Sequence, residues 1–248
     1  MKLTFKSWRF LIFKHGMKVV KSEFEKSKNK KYIPSIIGIL TALVGIDISI
    51  FVLKKILPTH SFYVKIWQGI ASEWILGIGI LLIVLFWEKE SLNSIGIQKM
   101  KISDIGWGAI GFIVGFLTFA ATAPVLKAFH LNTTSAVITK LADLSLLGRV
   151  LIVMTAGICE EVLYRGYAIE RLNRLTGNLW ISAFISWFVF TAGHLWLWGL
   201  AGALQISIWA IVVTLLYVWR RNLWVCIIMH ILNDGFAFIV IPLLIHHP

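Results

Sequence analysis

The chain has 248 residues, of which 58% are hydrophobic and only 15% charged, with a mean hydropathy of +0.82. A soluble domain carries roughly 25% charged residues, so this composition excludes an ordinary water-soluble globular domain. The net charge is +12, and the two cysteines, Cys159 and Cys226, lie in apolar stretches that argue against a disulfide framework.

Residues 1–31 form a basic segment. They hold ten of the 24 Lys/Arg against Glu23 and Glu25, interleaved with Trp8, Phe10, Leu11 and Phe13. Beside a hydrophobic span, such a segment lies on an anionic cytoplasmic leaflet or sets orientation, so lipid rather than nucleic acid is the expected partner. It lacks a sustained apolar core before Lys14 and Lys18, which argues against a cleaved secretory signal.

Residues 32–248 read as one membrane domain without internal repeats or low-complexity linkers. A crossing needs about 20 apolar residues. The candidates are Ile33–Leu53, Ile66–Trp87, Ile105–Leu126, a long span from Leu147, another ending near Trp198, Leu200–Val218 and Leu223–Ile245. The fifth and sixth almost touch at Gly199. Trp87, Trp107, Trp180, Trp198, Trp219 and Trp224 fall near the ends, where amphipathic rings favour the headgroup layer. The prediction is an all-α, polytopic bundle of about seven transmembrane helices in a cell membrane.

Sorting Lys/Arg by side orients the bundle. With residues 1–31 cytosolic, the inner segments hold 18 of the 24: the ten of the tail, Lys89, Lys99, Lys101, Arg165, Arg171, Arg174, Arg220 and Arg221. The outer segments hold Lys54, Lys55, Lys65, Lys127, Lys140 and Arg149. This bias predicts a cytosolic N-terminus and an external C-terminus.

Acidic groups at mid-membrane cost roughly 2.5–3.5 kcal/mol each on insertion scales, so each needs a reason. Asp47 and Glu73 in the first half are expected to be structural acids paired across helices, with an ion path as the alternative. The second half differs in kind. It contains Cys159-Glu160-Glu161 with Arg165, then Phe190 with His194, then His230 with Asn233 and Asp234. Helical neighbours lie three and four residues apart. Glu161 and Arg165 therefore share a face, while Glu160 points about 100° away without that partner. Phe190 is expected to stack on His194, and His230 to share a face with Asp234 and nearly with Asn233.

The sequence Thr176-Gly177-Asn178 predicts a turn between the fourth and fifth helices. Glu160 and His194 are equally spaced about Gly177, which sets them level in an antiparallel hairpin. His230 lies about 13 Å from the cytosolic surface at 1.5 Å per residue. Matching that depth requires the hairpin to project about eight residues beyond the bilayer, with Glu170, Arg171 and Arg174 on the projection.

A carboxylate and imidazoles around one water can activate it for attack on a peptide carbonyl. Two classes fit. A histidine-rich site could hold Zn²⁺, with His194, His230 and Glu160 as candidate ligands. Alternatively, with no cofactor, Glu160 and His194 polarise the water while His230 and a neighbouring amide stabilise the oxyanion. No His-Glu-x-x-His motif occurs, which favours the second class.

At these residues the sequence resembles the CPBP family of CAAX proteases and bacteriocin-processing membrane endopeptidases. That family carries Glu-Glu-x-x-x-Arg, Phe-x-x-x-His and His-x-x-x-Asn/Asp on successive membrane helices. Here these read Glu160-Glu161…Arg165, Phe190…His194 and His230…Asp234, and Arg220-Arg221-Asn222-Leu223-Trp224 is similar too. The resemblance covers roughly residues 145–240. It implies an intramembrane protease acting on membrane-associated peptides or proteins, with Glu160 as the base, His194 holding the water, and His230 with Asp234 on the oxyanion side. Many members have Asn at the last position, and an ionised Asp cannot donate to an oxyanion. Either Asp234 is protonated, or it orients His230, or Asn233 supplies the amide.

The resemblance also implies bacteriocin processing or self-immunity as a biological setting, with a prokaryotic peptide as substrate. Two other readings compete: a non-proteolytic immunity or binding protein, and an ion-coupled transporter that would make Asp47 and Glu73 as important as Glu160.

Overall fold

The computed structural model describes residues 32–131 and 140–245. The basic segment 1–31 and the C-terminal tip lie outside the described residues. Every regular element is helical. The first three helices are α1 (Tyr32–Ile56), α2 (Phe62–Trp87) and α3 (Ile102–Ala128). Then come α4 (residues 146–176), α5 (residues 179–198), α6 (residues 200–220) and α7 (Leu223–Leu244).

Local signals start and stop these helices as small polar residues should. Ser61 accepts from the Val64 N–H ahead of α2, and Ser145 from the Gly148 N–H ahead of α4. The Asp104 carboxylate accepts from the Lys101 N–H at the start of α3. The predicted turn after α4 is present: Gly177 closes the helix at φ 67°, and the Asn178 side chain accepts from the N–H groups of Trp180 and Ile181.

Five helical stretches are long and apolar enough to cross a membrane, and one of them is the run Leu179–Arg220. Its 42 residues would reach about 63 Å as one straight helix, twice the roughly 30 Å hydrocarbon core. The run breaks at Gly199, whose φ of 66° and ψ of −178° are essentially open to glycine alone. The Trp187 indole N–H donates to the Ser207 carbonyl at 2.9 Å across 20 residues of sequence. Only a chain folded back on itself brings those two residues together, so α5 and α6 form an antiparallel hairpin. Residues 146–176 do not qualify as an apolar span because they carry Glu160, Glu161, Arg165, Glu170, Arg171 and Arg174.

Two polar and apolar ends define the bundle. At one end the start of α1, the α2–α3 loop, the α4–α5 turn and the α6–α7 turn meet. Ser35 donates to Glu88, and Arg171 binds Glu88 through Nε and Nη2 at 2.9 and 2.6 Å. Arg174 binds Glu90 through both terminal nitrogens, and Arg221 binds Glu170. Arg220 and Asn222 both reach Asp104. At the other end Leu141, Leu144, Val153 and Phe238 form an apolar cluster with Phe62, Ile66 and Trp198. The loops sorted together by charge therefore meet at one end of the structure.

The tip of α4 is tied to the neighbouring loops. Arg171 is fully buried, and Glu170 takes both the Tyr217 hydroxyl and Arg221. The carboxylates of a neighbouring loop let a guanidinium be buried that would otherwise need water. Near the centre, α3 presents Gly108, Gly111 and Gly115 to α6 and α7. A Cβ at Gly108 would stand 2.6 Å from Ile228 and one at Gly115 2.7 Å from Trp209, so these helices approach closer than larger residues permit.

Candidate active site

The middle of α4, Ala156–Ala168, is wound as a π-helix rather than the expected α-helix. Wide turns of this kind recur at functional sites. The segment holds the paired acids. Glu161 is fully buried, and one of its oxygens receives both Arg165 Nη1 at 3.1 Å and His230 Nδ1 at 2.8 Å. The first contact is the predicted intrahelical pair. The second crosses to α7 and was not legible in local spacing.

Arg165 lies over the Phe190 ring at 4.1 Å, and Phe190 packs against His194 with ring centroids 4.5 Å apart. The Ser186 hydroxyl donates to the Tyr164 carbonyl at 2.7 Å, tying α5 to α4. The Nδ1 of His194 sits 2.7 Å from the Phe190 carbonyl. A carbonyl only accepts, so Nδ1 carries the proton and Nε2 is left for other partners.

His230 is held from several sides. Its Nε2 faces Asp234 at 3.5 Å and Glu160 at 3.9 Å, and the Trp209 ring meets it edge-on at 4.8 Å. Asp234 takes the Asn233 amide on its other oxygen at 3.1 Å. Asp234 therefore stands between the His230 ring and the Asn233 amide.

Glu160 stands apart from its neighbour. The 3.9 Å approach to His230 is too long for a hydrogen bond. Its side chain and that of Asp234 are each 14% exposed, on either side of a nearly buried His230. His194, His230 and Asp234 are the charges it feels most strongly. Every predicted site residue thus falls in one cluster drawn from α4, α5 and α7.

Two expectations about the first half change. Glu73 on α2 has no ion-pair partner across helices among the described residues; it lies within electrostatic reach of Glu160, His230 and Asp234. Asp47 on α1 lies against Gly193, the residue before His194: a Cβ there would be 3.7 Å from its carboxylate. The signal for both was present as an acid in an apolar span, but which helix each would face is set by packing that the sequence does not display. Trp209 was missed altogether, as one aromatic in an apolar run.

Among the described residues no three His, Cys, Asp or Glu side chains are arranged to hold a metal ion. Both His230 nitrogens already face carboxylates, and His194 Nδ1 is taken by a backbone carbonyl.

The fold and this cluster define a polytopic membrane protein with a carboxylate and two imidazoles gathered inside a helix bundle. Residues 142–236 match the family profile described as type II CAAX prenyl endopeptidase, Rce1-like. These residues are an Rce1-like CAAX endopeptidase (CPBP) family domain, and that family implies a protease. The match begins just before α4 and ends in α7, so α1 to α3 lie outside it. Neither a curated protein nor a solved structure matches the chain.

Proposed function

We propose that the chain hydrolyses peptide bonds of membrane-associated peptides or proteins with a water activated by Glu160 and no tightly bound metal. The observation that supports this most is the unequal state of two adjacent acids. One oxygen of Glu161 takes both Arg165 and His230, whereas Glu160 lies beside both imidazoles without bonding His230. In the reaction, His194 Nε2 holds the water while Glu160 takes its proton and the oxygen adds to the carbonyl carbon. His230 and the remaining N–H of Asn233 receive the oxyanion, with Asp234 orienting both. As the C–N bond breaks, Glu160 returns the proton to the leaving amine.

The convergence of loops at one end supports seven crossings with residues 1–31 cytosolic. We assign the chain to a prokaryotic plasma membrane, with bacteriocin processing or self-immunity as its setting. The test uses an internally quenched peptide with a farnesylated Cys-aliphatic-aliphatic-X end. Purified Glu160→Gln should cleave it ~10²–10⁴-fold more slowly at unchanged protein level. Cleavage at the wild-type rate would remove the reaction from this site. Wild-type activity should survive chelation with negligible zinc present; loss restored by zinc would overturn the metal-free scheme. Peptides that accumulate in membranes of the variant identify the native substrates.

A further inference from the structure

The mechanism leaves one buried acid of the site without work. Glu73 lies on α2, outside the matched domain. Its Oε2 is shielded from solvent and has no hydrogen-bond partner. A buried acceptor without a donor is costly, and orphaned groups of this kind mark places where something else supplies the bond.

The surroundings say where that donor would come from. On the same helix the Trp74 indole donates to Thr155 of α4 at 2.9 Å, and Gly77 packs on Cys159, the residue before Glu160. These contacts fix the face of α2 that carries Glu73 against the π-wound part of α4. The charged groups that act on Glu73 are Glu160, His230 and Asp234, drawn from two helices. Cys159 feels Glu73 and Glu160 together. The cationic groups nearby bond other acids: Arg165 Nη1 bonds Glu161, and His230 faces Glu161 and Asp234.

We infer that Glu73 is a substrate-contacting residue of the peptidase site, whose carboxyl accepts a hydrogen bond from an N–H of the peptide bound in the cleft. A peptide backbone is rich in such donors. The inference rests on the endopeptidase reading of the same cleft.

The experiment uses the full chain and has two arms. In the first, Glu73→Cys in native membranes is treated with a charged methanethiosulfonate reagent, with labelling counted above that of the two native thiols. It should react at a rate like that of Asp234→Cys on the cleft and unlike that of the fully buried Ile80→Cys. Labelling no faster than at position 80 overturns the inference.

In the second arm the quenched farnesylated peptide is assayed per mole of folded protein. Glu73→Leu should lower kcat/KM by about 2- to 12-fold, the effect of losing one hydrogen bond. Glu73→Gln, which keeps a carbonyl acceptor, should recover most of that loss. A purely structural acid would reduce protein level in both variants while kcat/KM stayed at the wild-type value, and that result overturns the inference. Normal kcat/KM in Glu73→Leu beside an inactive Glu160→Gln sinks the role of Glu73 alone. Full activity in Glu160→Gln sinks the endopeptidase reading instead, whatever the labelling shows.

Discussion

At the residue scale, the contrast between Glu160 and Glu161 rests on three contacts. Arg165 and His230 converge on one oxygen of Glu161, and neither bonds Glu160. Removing one member of a buried ion pair leaves an uncompensated charge and costs about 3–5 kcal/mol. Glu161→Gln or Arg165→Met alone should therefore reduce the folded protein in membranes. The double variant should recover much of the amount, because no lone charge remains. It should not recover cleavage, because His230 loses its charged Nδ1 partner. Quantitative immunoblots beside peptide assays check both parts, and equal accumulation of all three variants would show that the pair is not structural. The Glu161–Arg165 half of this triad was legible because four residues make one helical turn. The His230 half was not, since residues 69 apart in sequence meet only through packing. The same limit hid the surroundings of Glu73: an acid in an apolar run announces that it needs a reason, but not which reason.

Among the elements, the hairpin of α5 and α6 decides how many times the chain crosses the bilayer. By length and composition alone, Leu179–Arg220 counts as a single apolar stretch. The break at Gly199 and the Trp187–Ser207 bond make it two antiparallel helices. Reporters inserted after Gly177 and after Arg221 should therefore respond as cytosolic, and one inserted at Gly199 as external. A cytosolic response at Gly199 would refute the seven-crossing arrangement. The sequence marked this turn through Trp198-Gly199-Leu200, and it marked the Gly177 turn through its glycine and Asn178. The π-winding of α4 had no such mark. Ala156–Ala168 carries no glycine-asparagine or proline signal that would announce a wider turn.

For the whole molecule, the ion pairs at one end hold four separate parts of the chain together. Burial pushes the Glu88 carboxyl up, but hydrogen bonds from Arg171, Ser35 and Tyr167 and the charge of Arg171 more than offset it. Glu88 is thus held below the ordinary carboxylate value. Arg174 does the same for Glu90. A carboxyl with a depressed folded value contributes stability that is fully present above its unfolded value of about 4.3 and is lost as pH falls through the folded value. Melting temperature in detergent should fall as the pH drops below about 4.3. Glu88→Gln should melt lower than wild type at neutral pH and show a smaller acid-induced drop. The same acid-induced drop in both proteins would assign that drop to other groups.

The partners in this clasp come from opposite sides of a boundary. Arg171, Arg174 and Arg220 lie within residues 142–236, and their acids Glu88, Glu90 and Asp104 lie before it. The peptidase segment is therefore not a portable module. Excised or grafted behind unrelated helices, it would carry a fully buried guanidinium at position 171 with nothing to neutralise it. Lineages that reshuffle α1 to α3 must carry the acids along with them, or remove the arginines in the same step.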